Sequence, residues 1–344
     1  MRLSSAPRPR SGFTMIELMI VIVILVMLSA LLLSGINKVL VYVDEVRTTS
    51  EVSKLSEACE TFRLDFGLYP PSRITFSERD SSLMDAYSIQ YLNRLFPGID
   101  LDLFITSGGT QWHDWNGNGA ADANPYTLAG NECLVHFLGG PTYSSIGSTI
   151  PLGWHTDKTN PTRPPSATAS RLGPFYEFNA ARLSVTPDLP GLTGWDATRN
   201  VWRGYNDPYG TPYAYFLASD LSMNNYRGFL TRFGEVNDCA PLCGGNFMPY
   251  FASPPGPIVP SMGTPQPNLI KFHRSDKFQI ISAGRDRRFG QGGHYNQADP
   301  QASLWNPLSG IAPDQGRAGN PALADRVSDD YDNVTNFSEG KLVQ

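Results

Sequence analysis

The feature that most constrains this chain is an apolar run near its start, Phe13–Ile36, in which Glu17 is the only charged side chain. About 24 residues at 1.5 Å per residue make a helix of roughly 36 Å, which is long enough to cross a bilayer. Basic residues before a first span hold the N terminus in the cytoplasm, and Arg2, Arg8 and Arg10 precede this run. The sequence therefore predicts one membrane span, with the rest of the chain translocated outward.

Two simple interpretations of the run are a cleavable secretory signal and a plain membrane anchor. A cleavable secretory signal has an apolar core of about 7–15 residues and a small-x-small cleavage site; this core is longer, and "SALLLSG" is a poor site. A plain anchor explains everything except Glu17, because a carboxylate deep in lipid costs a few kcal/mol. Thr14 and Glu17 also fit a helix capping box, and an acid suits a helix N terminus.

The stretch "GFTMIELMIVIVILVMLSALLL" resembles the prepilin-type N terminus of type IV pilins and type II secretion pseudopilins. The resemblance implies a leader, Met1–Gly12, that prepilin peptidase removes by cutting between Gly12 and Phe13. It also implies methylation of the new N-terminal Phe13, with Thr14 and Glu17 in the positions that serve assembly. Because an unpaired buried charge is costly, pairing of Glu17 with the amine of a neighbouring subunit would reward correct register in a helix bundle.

Helical periodicity continues beyond the apolar run, with apolar residues three or four apart as far as Phe66. Gly67 and the Pro70-Pro71 pair then stop the helix. The pattern predicts one helix from about Thr14 to Phe66, with Cys59 on its packing face. Three segments follow: the leader at 1–12, the long helix at 13–66 with its span at 13–36, and a head at 67–344.

The head has the composition of a loop-rich domain, since the chain carries 32 Gly and 28 Pro. We expect an α+β fold in which the long helix packs on a small antiparallel sheet with large loop insertions, as in pilins. The patterns predict short helices in Met84–Pro97 and Asn131–Pro141, strands in Pro212–Ser219 and Lys277–Gly284, and exposed loops at 142–172 and 253–268.

Two stretches of the head, "YNDPYGTPYAYF" and "FQIISAGRDRRFGQGG", resemble the head of major pseudopilins. That family holds calcium with the second loop and an acidic residue before the C-terminal strand, so the resemblance implies calcium at Asp286 and Asp332. An alternative is an ion pair between Asp286 and a neighbouring arginine that stiffens the turn. The positions that match the family pattern are Asp207, Gly210, Pro212 and Tyr213 in the first stretch, and Ser282, Gly284, Asp286, Gly290 and Gly293 in the second. The chain departs from the pattern in an insertion of about 35 residues between the two halves and in Arg285, Arg287 and Arg288 beside Asp286.

A second acidic loop, "HDWNGNGAADAN", has oxygen-bearing side chains at alternate positions. They fit positions 1, 3, 5 and 9 of a calcium loop of the EF-hand kind, with glycine at position 6 and the Ala120 carbonyl available. Position 12 is Pro125 rather than an acid, so the bidentate carboxylate ligand is missing unless Asp122 or Glu132 takes its place. Ordinary Asx turns are the alternative. The predicted ligands are Asp114, Asn116, Asn118 and Asp122 around Gly119.

Other features limit the chemistry. Cys239 and Cys243 either pair in an oxidising compartment or stay free, and the second half of a zinc motif is missing. The sequence has no G-x-S-x-G, no H-E-x-x-H and no phosphate-binding loop, and we expect His136 to be a packed histidine rather than a ligand. A net charge of −5 argues against nucleic acid as a partner. Because no catalytic motif stands out in the sequence, we predict that the protein is not an enzyme.

The resemblance to prepilin-type proteins implies a subunit that waits in the inner membrane with its head in the periplasm. An assembly platform in that membrane would then stack its helix with those of other subunits into a pseudopilus or pilus-like fibre, for type II secretion. One alternative is a minor pseudopilin or adhesin at the fibre tip, which the large insertions favour. Another is an anchored enzyme that borrows the N terminus.

Overall fold

The structure is a computed structural model. It describes residues 13–109, 111–148, 150–166, 170–184, 204–218, 247–253, 271–289, 292–294, 332–338 and 342, without the side chains of 31–38, 40, 41, 248, 252, 253, 271 and 292–294. The chain divides into two compact units, Met1–Val46 and Arg47–Gln344.

The long predicted helix is confirmed as α1, Met15–Phe66. It ends as predicted, because Gly67 adopts a left-handed backbone (φ 77°) and its N–H donates to the carbonyl of Arg63 at 2.7 Å. Among the described helices, none combines the length and the apolar character that crossing a membrane requires.

The second unit contains the remaining helices and strands. The helices are α2, Ala86–Leu95; α3, Leu103–Thr106; and α4, Asn131–Gly139. The strands are β1, Arg73–Phe76; β2, Tyr126–Ala129; β3, Trp154–His155; β4, Arg171–Leu172; β5, Leu183–Ser184; β6, Gly204–Tyr205; β7, Ala214–Leu217; β8, Met248–Ser253; β9, Lys271–Phe272; β10, Phe278–Ser282; β11, Gly292–His294; and β12, Val334–Thr335.

The predicted short helices and strands are confirmed as α2, α4, β7 and β10, and so is a mixed fold of helices and small antiparallel sheets. The structure differs in that the described strands form several sheets rather than one. The described strands form five small sheets, in the orders β1-β2, β12-β10-β7, β11-β8-β9, β3-β4 and β5-β6. The pairings among these described strands are antiparallel except that of β11 with β8, which is parallel. Turns and insertions interrupt the described part of the head so often that half of its strands span only two residues. Such strands are too short to build one continuous sheet.

Two hydrophobic clusters lie in the second unit, and β10 contributes to both. The first cluster includes Phe278 and Ile280, and the second includes Ile281. Such a division follows from the alternation of side chains along a strand. The apolar side of α1 belongs to the first cluster with Val52, Leu55, Cys59, Phe62 and Phe66, which confirms Cys59 as a core residue.

The prediction of an exposed loop at 142–172 is confirmed for many of its described residues but is wrong where aromatic side chains are buried. Tyr143 and Trp154 are fully buried, and the Trp154 indole N–H donates to the Phe137 carbonyl at 3.0 Å. The Arg171 guanidinium donates to the Leu152 carbonyl at 2.9 Å and to the Tyr143 hydroxyl at 2.8 Å. Aromatic burial therefore outweighs the Pro- and Ser-rich composition here. The other predicted loop, 253–268, lies outside the described residues except for the backbone of residue 253.

Glu51 on α1 is a buried carboxylate that joins later parts of the chain. The Tyr176, Tyr205 and Tyr213 hydroxyls donate to it at 3.0, 2.7 and 2.8 Å. The Arg182 guanidinium donates to both of its oxygens, to Oε2 at 2.7 Å. Burial opposes ionisation, yet the bonds from Arg182, Tyr205 and Tyr213 outweigh it and lower the pKa of Glu51.

Candidate functional site

The start of α1 has the geometry of a capping box. The Thr14 backbone N–H and hydroxyl each donate to Glu17 Oε2 at 2.8 Å. The Glu17 N–H donates back to the Thr14 hydroxyl at 3.3 Å. Within one chain, the Glu17 carboxylate is therefore hydrogen-bonded one turn from the predicted new terminus at Phe13. Gly12, on the other side of the predicted cleavage point, lies outside the described residues.

The first turns of α1 present apolar side chains on every side. From Leu18 to Leu28 each residue is apolar and is 48–65% exposed. A helix that is apolar all round requires an apolar environment, either lipid or other helices. Phe13, Met15 and Ile16 extend the same surface to the start of the helix.

The loop from Asp114 to Asp122 brings the predicted ligands together. Asp114 accepts the N–H groups of Asn118 and Gly119 at 3.1 and 2.9 Å. The side-chain amides of Asn116 and Asn118 donate to Asp122 Oδ2 at 2.6 and 3.2 Å. The glycine at position 6 of the loop, Gly119, has φ 78°, as a sharp turn requires.

A further acid at this loop, Glu78, is one that the sequence did not reveal. Its carboxylate accepts from the Trp115 and Asp122 backbone N–H groups at 3.1 and 2.9 Å and from the Tyr126 hydroxyl at 2.6 Å. Glu132, predicted as a substitute ligand, instead accepts from the Ala129 N–H at 3.4 Å. The acid beside the loop is therefore Glu78, which follows β1.

Burial and neighbouring charge disfavour ionisation at this loop. Burial, with the negative charges of Asp114 and Asp122, raises the pKa of Glu78 to about 7 despite the bonds from Asp122 and Tyr126. Burial also raises the pKa of Asp114. A bound cation would relieve this cost, since an opposite charge favours the ionised carboxylate.

A second segment closes over the loop. The Ser145 N–H donates to the Gly117 carbonyl at 3.2 Å. A Cβ on Gly117, whose φ is 72°, would lie 2.2 Å from the Thr142 carbonyl oxygen. The 114–122 loop thus packs against backbone of the 142–172 region.

The two halves of the pseudopilin-like head motif meet in the structure. The Ser282 hydroxyl donates to the buried Asp207 carboxylate at 2.5 Å, and the Gly284 N–H donates to that hydroxyl at 3.1 Å. Burial raises the pKa of Asp207 to about 6. A hydrogen-bonded path therefore runs from the turn before β7 to the loop after β10.

The structure also brings Asp286 and Asp332 together. The Asp286 N–H donates to Asp332 Oδ2 at 2.9 Å, and Asp286 Oδ1 accepts from the Arg288 backbone N–H at 2.8 Å. Oδ1 of Asp332 is buried without a hydrogen-bond partner among the described residues. A Cβ on Gly284 would lie 2.2 Å from the Asp332 carbonyl oxygen, so this approach requires glycine.

Three other predictions concern metals, cysteines and histidine. Within the described ranges, no three His, Cys, Asp or Glu side chains form a group that could hold a metal ion, so calcium stays a prediction at both loops. Cys239 and Cys243 lie outside the described residues. His136 is confirmed as a packed histidine, buried against Phe76 and Trp154, where burial lowers its pKa to about 3.

Comparison with known proteins bears on the N terminus. Residues 7–33 match the family model of the prokaryotic N-terminal methylation motif, the signature of type IV pilins and pseudopilins. The motif marks the chain as a prepilin-type substrate for peptidase processing, and implies assembly with other pilin-type subunits. It is typical of membrane-anchored pilins. No curated protein and no solved structure matches the chain.

Proposed function

We propose that the chain is the precursor of a subunit of a pseudopilus or type IV pilus-like fibre for type II secretion. Prepilin peptidase would cut between Gly12 and Phe13 and methylate the new amine. Residues 13–36 would then hold the mature subunit in the inner membrane, with a pilin-like head in the periplasm. The match of residues 7–33 to the methylation motif is the observation that carries this proposal.

The exposed apolar surface of α1 supports a fibre as well as an anchor. Leaving eleven consecutive apolar side chains, Leu18–Leu28, about half exposed or more to water would be costly. Lipid covers this surface before assembly, and neighbouring helices cover it afterwards. Passage from one to the other needs no refolding of the helix, and an assembly platform in the membrane would drive it.

The capping box supports a specific part for Glu17. In a single chain, the donors from Thr14 keep its carboxylate hydrogen-bonded at the start of the helix. In the fibre, the methylated amine of a neighbouring Phe13 would supply an opposite charge. A charge pair in a low-dielectric helix bundle rewards the register in which the two groups meet.

The first test is the intact mass and N-terminal sequence of the protein recovered from membranes. A mature chain starting at methylated Phe13 supports the proposal. A chain that retains Met1, or that starts after Gly35, contradicts it.

The second test concerns assembly. Glu17→Ala should still be processed but should give at least tenfold fewer sheared fibres. Glu17→Gln is the matched control for charge, because it keeps an acceptor for Thr14 and removes the charge. We expect it to assemble as poorly as Glu17→Ala, and normal yield from Glu17→Gln would contradict the charge pair.

The same preparations separate the alternatives. A major subunit is abundant in sheared fibres, whereas a tip subunit is scarce yet required to start them. A structural role without catalysis predicts that polar substitutions in the head act only through folding or assembly.

We also propose that the 114–122 loop binds calcium. Asp114, Asn116, Asn118, Asp122 and the added carboxylate of Glu78 supply the oxygen ligands that this ion prefers. If the dissociation constant is about 1 mM, 10 mM calcium stabilises the head by about 1.4 kcal/mol.

The proposal predicts a calcium-dependent rise in melting temperature that Asp114→Asn/Asp122→Asn abolishes. The variant Asp286→Asn/Asp332→Asn tests the other predicted site in the same assay. A rise that survives the first variant and disappears in the second assigns the ion to the Asp286 loop instead.

A further inference from the structure

The turn that follows β10 carries three arginines in four residues, and we call Arg285–Arg288 the arginine turn. The side chains of Arg285, Arg287 and Arg288 are all exposed. The residues on either side of the turn, Gly284 and Phe289, are buried. The turn therefore holds three guanidinium groups outside a well-packed base.

The base of the arginine turn is held by several hydrogen bonds. Ser282 accepts from the Gly284 N–H at 3.1 Å, and the Asp286 N–H donates to Asp332 at 2.9 Å. The Asp286 carboxylate accepts from the Arg288 backbone N–H at 2.8 Å, so this acid supports the turn from within. The positions from which the arginine side chains project are fixed by these contacts.

Arg287 occupies a backbone conformation that rarely suits a side chain. Its φ is 64°, and in the described part of the chain the only other non-glycine residue with positive φ is Arg274, at 52°. Both are exposed arginines, on the turns before and after β10. Glycine would adopt this conformation without strain, and such strained positions cluster at functional sites.

The charge of the arginine turn is opposite to that of the chain. Removal of the leader, with three of the 27 Lys and Arg and no Asp or Glu, changes the net charge from −5 to −8. Copies of so acidic a chain repel one another unless basic surfaces meet acidic ones. Guanidinium groups suit this task because they form paired hydrogen bonds with carboxylates.

We propose that the arginine turn docks on an acidic surface of a second copy of the chain in the fibre. The inference rests on the proposed function, because assembly is what brings the second copy within reach. It adds a contact between heads to the contact between helices, and it predicts that fibres weaken at high salt.

The test compares two variants of the full chain that change the charge equally. Arg285→Glu/Arg287→Glu reverses the turn, and Arg94→Glu/Arg163→Glu reverses two exposed arginines elsewhere on the head. Both should retain the processed N terminus at Phe13. We expect at least a tenfold loss of sheared fibres from the first variant and less than a twofold loss from the second.

Three measurements keep the inference falsifiable. Arg285→Gln/Arg287→Gln removes the charge without reversing it and should lose fibres at least threefold, even if the reversed variant is unstable. Equal yields from the turn variants and the control overturn the inference alone, whereas absence of fibres from the wild type overturns the proposed function and the inference with it. If the turn variants form normal fibres but no longer bind phosphatidylglycerol vesicles, the turn binds anionic lipid instead.

Discussion

Replacing Glu51 with Gln tests how the later parts of the head are held to α1. The substitution keeps the size of the side chain but removes the charge that Arg182 and three tyrosine hydroxyls bind. Removing one partner of a buried ion pair costs about 3–5 kcal/mol. Because the Arg182 side chain is 17% exposed, we expect the lower end, about 3 kcal/mol. For a unit of this size, Arg47–Gln344, that loss corresponds to a fall in melting temperature of roughly 5 °C.

The measurement is urea and thermal unfolding of the mature full chain in detergent, followed by the fluorescence of the buried Trp115 and Trp154. Tyr213→Phe is the matched control, because it removes one donor to the same carboxylate and should cost about 1–2 kcal/mol. A loss below 1 kcal/mol for Glu51→Gln, or one smaller than that of Tyr213→Phe, would refute the reasoning.

The pH dependence gives an independent check on Glu51. Its folded pKa is lowered, so its contribution to stability is present above the unfolded value of about 4.5 and is lost as the pH falls through the folded pKa. The deficit of Glu51→Gln should therefore shrink on acidification. A deficit that stays constant from pH 7 to pH 3 would mean that the charge of Glu51 is not what Arg182 and the tyrosines require.

Three further predictions use the same unfolding assay. The folded pKa of Glu78 is raised from 4.5 to about 7, so this carboxyl should contribute about 3 kcal/mol to the fall in stability as the pH rises through this interval without calcium. The fall should therefore be smaller by about that amount in Glu78→Gln, and the same pH profile in both proteins would contradict the prediction. Gly117→Ala should cost over 2 kcal/mol more than Gly147→Ala, because both positions have positive φ but only the first meets backbone atoms within 3 Å; equal losses would show that the contact can relax. Lys277→Met breaks an ion pair with Glu60 at 2.6 Å that is partly exposed, so the loss should stay within about 1 kcal/mol, and a larger one would contradict the solvent screening expected there.

The parts of the fold that the sequence predicted are those in which local signals agree. The long helix α1 has regular apolar spacing and ends at Gly67, and α2 begins with an N-cap, Asp85, that accepts the Ser88 N–H at 2.9 Å. Such signals depend on residues a few positions apart, and they can be read without knowledge of the fold.

The residues that the sequence did not predict depend on contacts between distant segments. Glu78 reaches the 114–122 loop because β1 pairs with β2, more than 50 residues later. Glu51 collects donors that lie 125–162 residues further along the chain. A lone acid on an amphipathic helix gives no sign of such partners, because ordinary surface positions carry acids too.

The position of β10 determines how the head responds to damage. Successive side chains of this strand enter two different hydrophobic clusters, so neither cluster can lose its packing while the strand keeps its place in the other. Regions that share a structural element in this way open as one cooperative unit rather than as independent parts. A cavity made around Ile281 should therefore speed hydrogen exchange around Ile280 and its neighbours to the same degree, although the two side chains face opposite sides of the strand.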